Sequence, residues 1–77
     1  MDYTNFINNL RIIRMCEGLT AKELSKRCGL RQMKRIADIE DGRGKPDINE
    51  VVNICKELNI KIDAMINDKV KIKYEWE

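Results

Sequence analysis

The sequence predicts an all-α domain of five short helices, and three observations carry that prediction. Apolar side chains recur at three- and four-residue spacing along most of the chain. Glycines stand at 18, 29 and 42, where those periodic runs stop, and the capping residues Thr20 and Asp47 stand just before two others. With 77 residues there is room for one small core, and so for one domain.

The first helix is expected over residues 3–17, with Asp2 or Thr4 as its N-cap and Phe6, Leu10 and Ile13 facing inward beside Ile7. Gly18 ends it, Leu19 drops into the core, and Thr20 caps a second helix over residues 21–27. Gly29 supplies a turn into a third helix over residues 32–41, which stops at Gly42. The following RGKP run forms an exposed loop that Pro46 keeps from continuing as helix. Asp47 and Glu50 make a D-x-x-E capping box for a fourth helix over residues 48–58, with Val51, Val52, Cys55 and Leu58 apolar and Asn59 as a left-handed C-cap. A last short helix covers residues 62–66.

Between Gly18 and Pro46, two helical patterns flank a glycine turn, which is the outline of a helix-turn-helix. Leu24, Cys28, Leu30, Ile36 and Ile39 can share a core while Lys22, Lys26, Arg31, Gln32, Lys34 and Arg35 point outward. The charge follows this division. Residues 1–19 balance Arg11 and Arg14 against Asp2 and Glu17. Residues 20–45 carry Lys22, Lys26, Arg27, Arg31, Lys34, Arg35, Arg43 and Lys45 against Glu23, Asp38, Glu40 and Asp41, a net +4; residues 46–77 hold five lysines and seven acids, a net −2. The positive excess therefore sits where phosphate neutralisation needs it, and the expected partner is double-stranded DNA.

Other function classes fall away on composition. The chain has no histidine, and its single serine, Ser25, lies inside a predicted helix, so a serine or cysteine nucleophile lacks an imidazole base and no enzyme is expected. Cys16, Cys28 and Cys55 are odd in number, widely spaced and without a CxxC pair, which argues against a disulfide framework and a zinc site; Cys28 and Cys55 fall on apolar faces as packing residues. No metal or other cofactor is expected. The N-terminal MDYTNFINN has neither a basic n-region nor an apolar h-region, and no apolar run reaches membrane-spanning length, so the expected location is the cytoplasm.

The residues from 6 to 66 resemble the Cro/cI-type (XRE-family) helix-turn-helix of bacterial and phage repressors. The likeness rests on Phe6, Leu10, Ile13 and Arg14, the GLT at 18–20, Leu24, Gly29, and the IADIEDG at 36–42, where the family has an I-x-x-I-E-N-G-like run. Pro46, Ile48, Val51, Val52, Ile54 and Leu58 follow, then Ile60, Ile62 and Asp63. The resemblance implies a five-helix lambda-repressor-like domain over residues 1–66, its helix-turn-helix at about 20–42. It also implies an ion pair in which the Arg14 fork meets the Glu40 carboxylate and fixes the first and third helices in register.

Three departures from the family pattern bear on the surface that would face DNA. One extra residue lies between Gly29 and Ile36, which turns the third helix by about 100° unless the turn absorbs it. With family spacing Arg35 and Asp38 would be forced into the core, so the extra residue belongs in the turn or at the first turn of the helix. Ala21 stands where the family usually has a glutamine that touches the DNA backbone, and Asp38 places an acid on the outward side. The candidates for base contact are Gln32, Met33, Lys34 and Arg35: Gln32 suits adenine, Lys34 or Arg35 guanine and Met33 a thymine methyl, each polar pair contributing roughly 1–3 kcal/mol of discrimination. Thr20, Lys22, Arg31, Arg43 and Lys45 are the candidates for phosphate contact.

The tail over residues 67–77 changes from helical to alternating period, with Val70, Ile72, Tyr74 and Trp76 on one face of an expected β-strand and Lys71, Lys73 and Glu75 on the other. Two copies paired antiparallel about Lys73 set Lys71 against Glu75 and Lys69 against Glu77. The expectation is a homodimer joined by a strand ribbon, resembling the strand-mediated dimer of some Cro proteins, with half-sites about 34 Å apart. A tail paired within its own chain, or frayed, is the alternative. The function expected is a sequence-specific DNA-binding regulator, acting as a repressor. The alternative is a protein-interaction module, an antitoxin or adaptor, that keeps the fold without the DNA contacts. The Arg14 and Glu40 pairing yields a first prediction: Arg14→Ala lowers the thermal melting temperature more than Arg11→Ala does, and equal melting temperatures refute it.

Overall fold

Four of the helices stop at the same backbone device, and that repetition sets the architecture. In the computed structural model, which describes residues 3–67, the elements are α1 (Thr4–Cys16), α2 (Ala21–Arg27), α3 (Arg35–Glu40), α4 (Ile48–Leu58) and α5 (Ile62–Asn67). Gly18, Gly29, Gly42 and Asn59 follow α1 to α4 with φ of 72°, 66°, 76° and 57°, the left-handed region that a Cβ disfavours and that asparagine tolerates best among the rest. At each end the next residue's N–H reaches back into the last turn: Leu19 to the Arg14 carbonyl at 3.1 Å, Leu30 to Ser25 at 3.0 Å, Arg43 to Asp38 at 2.9 Å and Ile60 to Cys55 at 3.0 Å. These closures satisfy carbonyls that a helix otherwise leaves to solvent. Leu19, Leu30 and Ile60 then pack against the core, whereas Arg43 in the equivalent place is exposed.

The core gathers Phe6, Leu10 and Ile13 of α1, Leu24 of α2, Ile36 and Ile39 of α3, Val51, Ile54, Cys55 and Leu58 of α4, and Met65 of α5. Val52, expected on the apolar face of α4, is only partly buried, and Ile54 takes the buried place. The expected capping box of Asp47 with Glu50 forms, and the expected cap at Thr20 is a capping box too. Thr20 Oγ1 accepts from Glu23 N–H at 3.0 Å while the Glu23 carboxylate accepts from Thr20 N–H at 2.9 Å, and Asp47 and Glu50 do the same at 2.8 and 3.0 Å. The bond from Thr20 N–H holds the Glu23 carboxyl below the usual carboxylate range.

Besides one-residue differences at the ends of α1 and α3, sequence and structure part at three helix boundaries. The N-cap of α1 is Tyr3, without a side-chain cap, so Thr4 is the first helical residue and not the cap. Helix α3 begins at Arg35, three residues later than expected, because residues 31–34 form a bend and turn that absorb the extra position and leave Ile36 and Ile39 fully buried. Helix α5 runs one residue further than expected, to Asn67, since α1 receives its end: the buried Asn9 side chain donates to the Met65 carbonyl at 2.9 Å and Asn5 to that of Asn67 at 3.2 Å. The expected strand of Val70, Ile72, Tyr74 and Trp76 lies outside the described residues.

The start of α3 has no side-chain cap of its own, since its N-cap is Lys34. Ser25 of α2, fully buried, supplies one from a distance: its hydroxyl accepts the Ile36 N–H at 3.0 Å. Ser25→Ala leaves that buried N–H without a partner, and we expect a loss of about 1–3 kcal/mol of unfolding free energy in a urea titration. An unchanged midpoint refutes the cap.

Candidate nucleic-acid interface

The interface is built outward from the joint between α2 and α3. The buried faces of those helices, Leu24 with Ser25 and Ile36 with Ile39, press together, and the intervening turn is turned out to solvent. Arg31, Gln32, Met33 and Lys34 are four consecutive exposed residues immediately before α3, and Met33 keeps 48% of its surface in solvent. Thr20, Lys22, Lys26, Arg27, Arg43 and Lys45 are exposed as well. The base-contact candidates other than Arg35 therefore sit on a turn and not on α3 itself.

Arg35 is placed differently from its three neighbours. It is the first residue of α3, and its guanidinium is turned onto α4: Nε donates to Glu50 Oε2 at 2.7 Å and Nη2 to Oε1 at 2.8 Å. Nη2 also donates to the Lys45 carbonyl at 3.1 Å. The fork holds the Glu50 carboxyl below its usual range, the hydrogen bond from Arg35 being the main cause, and raises Arg35 in turn. Arg31, Gln32 and Arg35 line one shallow depression with Asp47 and Glu50.

Two further placements bear on charge at this surface. Asp38, on the outward side of α3, is largely covered and lies 3.9 Å from the exposed Arg43 guanidinium. The Thr20 N–H is occupied by the Glu23 carboxylate, so Thr20 itself has only its hydroxyl proton left to meet an incoming anion.

Behind the surface, Arg14 and Glu40 tie α1 to α3. Arg14 Nε donates to Glu40 Oε2 at 2.7 Å, Nη2 to Oε1 at 2.9 Å, and Nη1 to the Leu19 carbonyl at 2.8 Å. Arg11 also reaches Glu40, at 3.5 Å, but from a half-exposed position. Sequence reasoning missed Ser25 as a cap and Glu50 as the partner of Arg35. A signal for the first was present: residues 30–34, LRQMK, contain no side chain that caps well, whereas Thr20 and Asp47 serve α2 and α4, so α3 required a cap from elsewhere.

The thiols do not add chemistry here. Cys55 is buried, Cys28 is half-buried with its pKa pushed up to about 11 by desolvation, and Cys16 is exposed. Among the described residues no cluster of histidine, cysteine, aspartate or glutamate is arranged to hold a metal ion, and no helix is long and apolar enough to cross a membrane.

No protein-family model matches the sequence, and no curated protein matches it significantly. Solved structures do. A hypothetical transcription factor from Neisseria, NHTF, superposes with a TM-score of 0.75 at 19% identity, over 80% of this chain and 70% of its own. The restriction-modification controller protein C.AhdI from Aeromonas hydrophila gives 0.75 at 22% identity, over 84% and 97%. A transcriptional regulator from Listeria innocua gives 0.71 at 20%, over 91% of this chain and 64% of its own. With its helix order, its exposed turn between α2 and α3 and these likenesses, the chain shares the all-α, helix-turn-helix fold of these three proteins.

Proposed function

We propose that the chain is a sequence-specific double-stranded DNA-binding regulator of transcription that works in the cytoplasm as a homodimer, repressing by occupying an operator. The observation that carries this reading is the exposed run of Arg31, Gln32, Met33 and Lys34, held at the start of α3 by a helix pair whose facing sides, Leu24 with Ser25 and Ile36 with Ile39, are buried. An exposed amide, thioether and ammonium on one turn suit base edges in a major groove. Lys22, Arg31, Arg43 and Lys45, with the Thr20 hydroxyl, supply the phosphate contacts. Asp38 does not oppose them, because Arg43 lies beside its carboxylate.

Binding to duplex DNA across a salt series tests this. With four cationic phosphate contacts per protomer, the Thr20 hydroxyl being neutral, log K against log salt should fall with a slope of about −4 for each protomer bound. Lys22→Ala should weaken all duplexes alike and reduce that slope by about 1, while Lys34→Ala should cost roughly 1–3 kcal/mol on the preferred sequence only. Salt-independent binding without sequence preference favours the protein-interaction module instead. The dimer is tested separately: truncation after Asp68 should convert a sedimenting dimer to monomer, and an unchanged oligomer rules out the C-terminal ribbon.

A further inference from the structure

We propose that Arg35 and Glu50 form a positioning pair that sets the angle of the turn at residues 31–34 against DNA, and that Arg35 itself reads no base. The proposal rests on the DNA-binding function given above. Arg35 and Ile36 are adjacent, yet they are tied to different helices: the Ile36 N–H to Ser25 on α2 and the Arg35 guanidinium to Glu50 on α4. Two anchors on opposite sides of one backbone point fix the rotation of a helix only six residues long, whose own N-cap has no side-chain bond. The exposed turn leaves directly from that point.

The surroundings of the fork are fitted to it. Glu50 Oε1 accepts from Asp47 N–H as well as from Arg35, so the carboxylate is itself held by the capping box of α4. The loop between α3 and α4 closes over the guanidinium, with the Lys45 carbonyl as a third acceptor. At Gly44 a Cβ would stand 2.8 Å from Arg35 Nη1, so a side chain there requires the guanidinium to shift. Releasing Arg35 toward a guanine would leave Glu50, whose side chain is 18% exposed, facing a phosphate-rich surface without its cation.

The experiment compares affinity for a duplex selected from a random pool with affinity for a scrambled one, with circular dichroism melts confirming that each variant is folded. If the pair positions the turn, Arg35→Gln and Glu50→Gln both lower the specific-to-scrambled ratio by about tenfold, although they change net charge in opposite directions. Glutamine at 50 retains an acceptor for Asp47 N–H, which protects folding. Gly44→Ala, which changes no charge, should lower the ratio with the salt slope unaltered. Loss in Arg35→Gln alone, with Glu50→Gln and Gly44→Ala unaffected, makes Arg35 a base reader and overturns the proposal; so does a ratio preserved in all of them. A wild-type chain with no sequence preference defeats the functional reading itself, an outcome visible before any variant is made.

Discussion

A carboxylate closed into the interior governs how this small domain is put together. The side chain of Glu40 is 5% exposed, and a charge in that position is tolerated only when cations complete its hydrogen bonds. Arg14 meets the requirement with both edges of its fork, and its third contact, to the Leu19 carbonyl, reaches the residue that seals the end of α1. One guanidinium thus joins the end of the first helix, the entry to the second and the end of the third. The net energy of such a pair is small, because desolvation offsets attraction. Leaving Glu40 buried alone costs roughly 3–5 kcal/mol, so alternative packings of α1 against α3 are excluded.

The fold was legible wherever structure is decided by neighbours in sequence. Gly18, Gly29, Gly42 and Asn59 mark their helix ends because the left-handed closure is a local event, and Thr20 with Glu23 or Asp47 with Glu50 cap within a single turn. What escaped was decided across the chain. The start of α3 depends on a serine ten residues before it, and the end of α5 depends on Asn9, a polar residue on the buried face of α1 whose partner is 56 positions away. Periodicity registers such a residue as an interruption and cannot name what it meets. At the candidate interface the division was the same: which side chains are exposed was readable from the apolar pattern, but the engagement of Arg35 by Glu50 was not, since it requires knowing how α3 lies on α4.

Charge counting carried similar information at lower resolution. The excess of basic residues between 20 and 45 is real, but Arg35 is taken up by Glu50, and Arg43, though exposed, is partly offset by Asp38 beside it. The cations left facing solvent without a carboxylate partner on the opposite helix are concentrated on α2 and on the turn before α3. A segment's net charge therefore locates an electropositive region and overstates how much of it is available to a polyanion.

The turn at residues 31–34 bears none of the core, and its side chains project from a point clamped on both sides. Substitutions there change what is presented to a partner while leaving the packed residues, the caps and the Glu40 centre untouched. On the function proposed above, recognition and stability are nearly independent variables in this chain. Such a domain can diverge in target through successive single changes in four neighbouring residues, each intermediate remaining folded, which makes it readily evolvable as a specificity module.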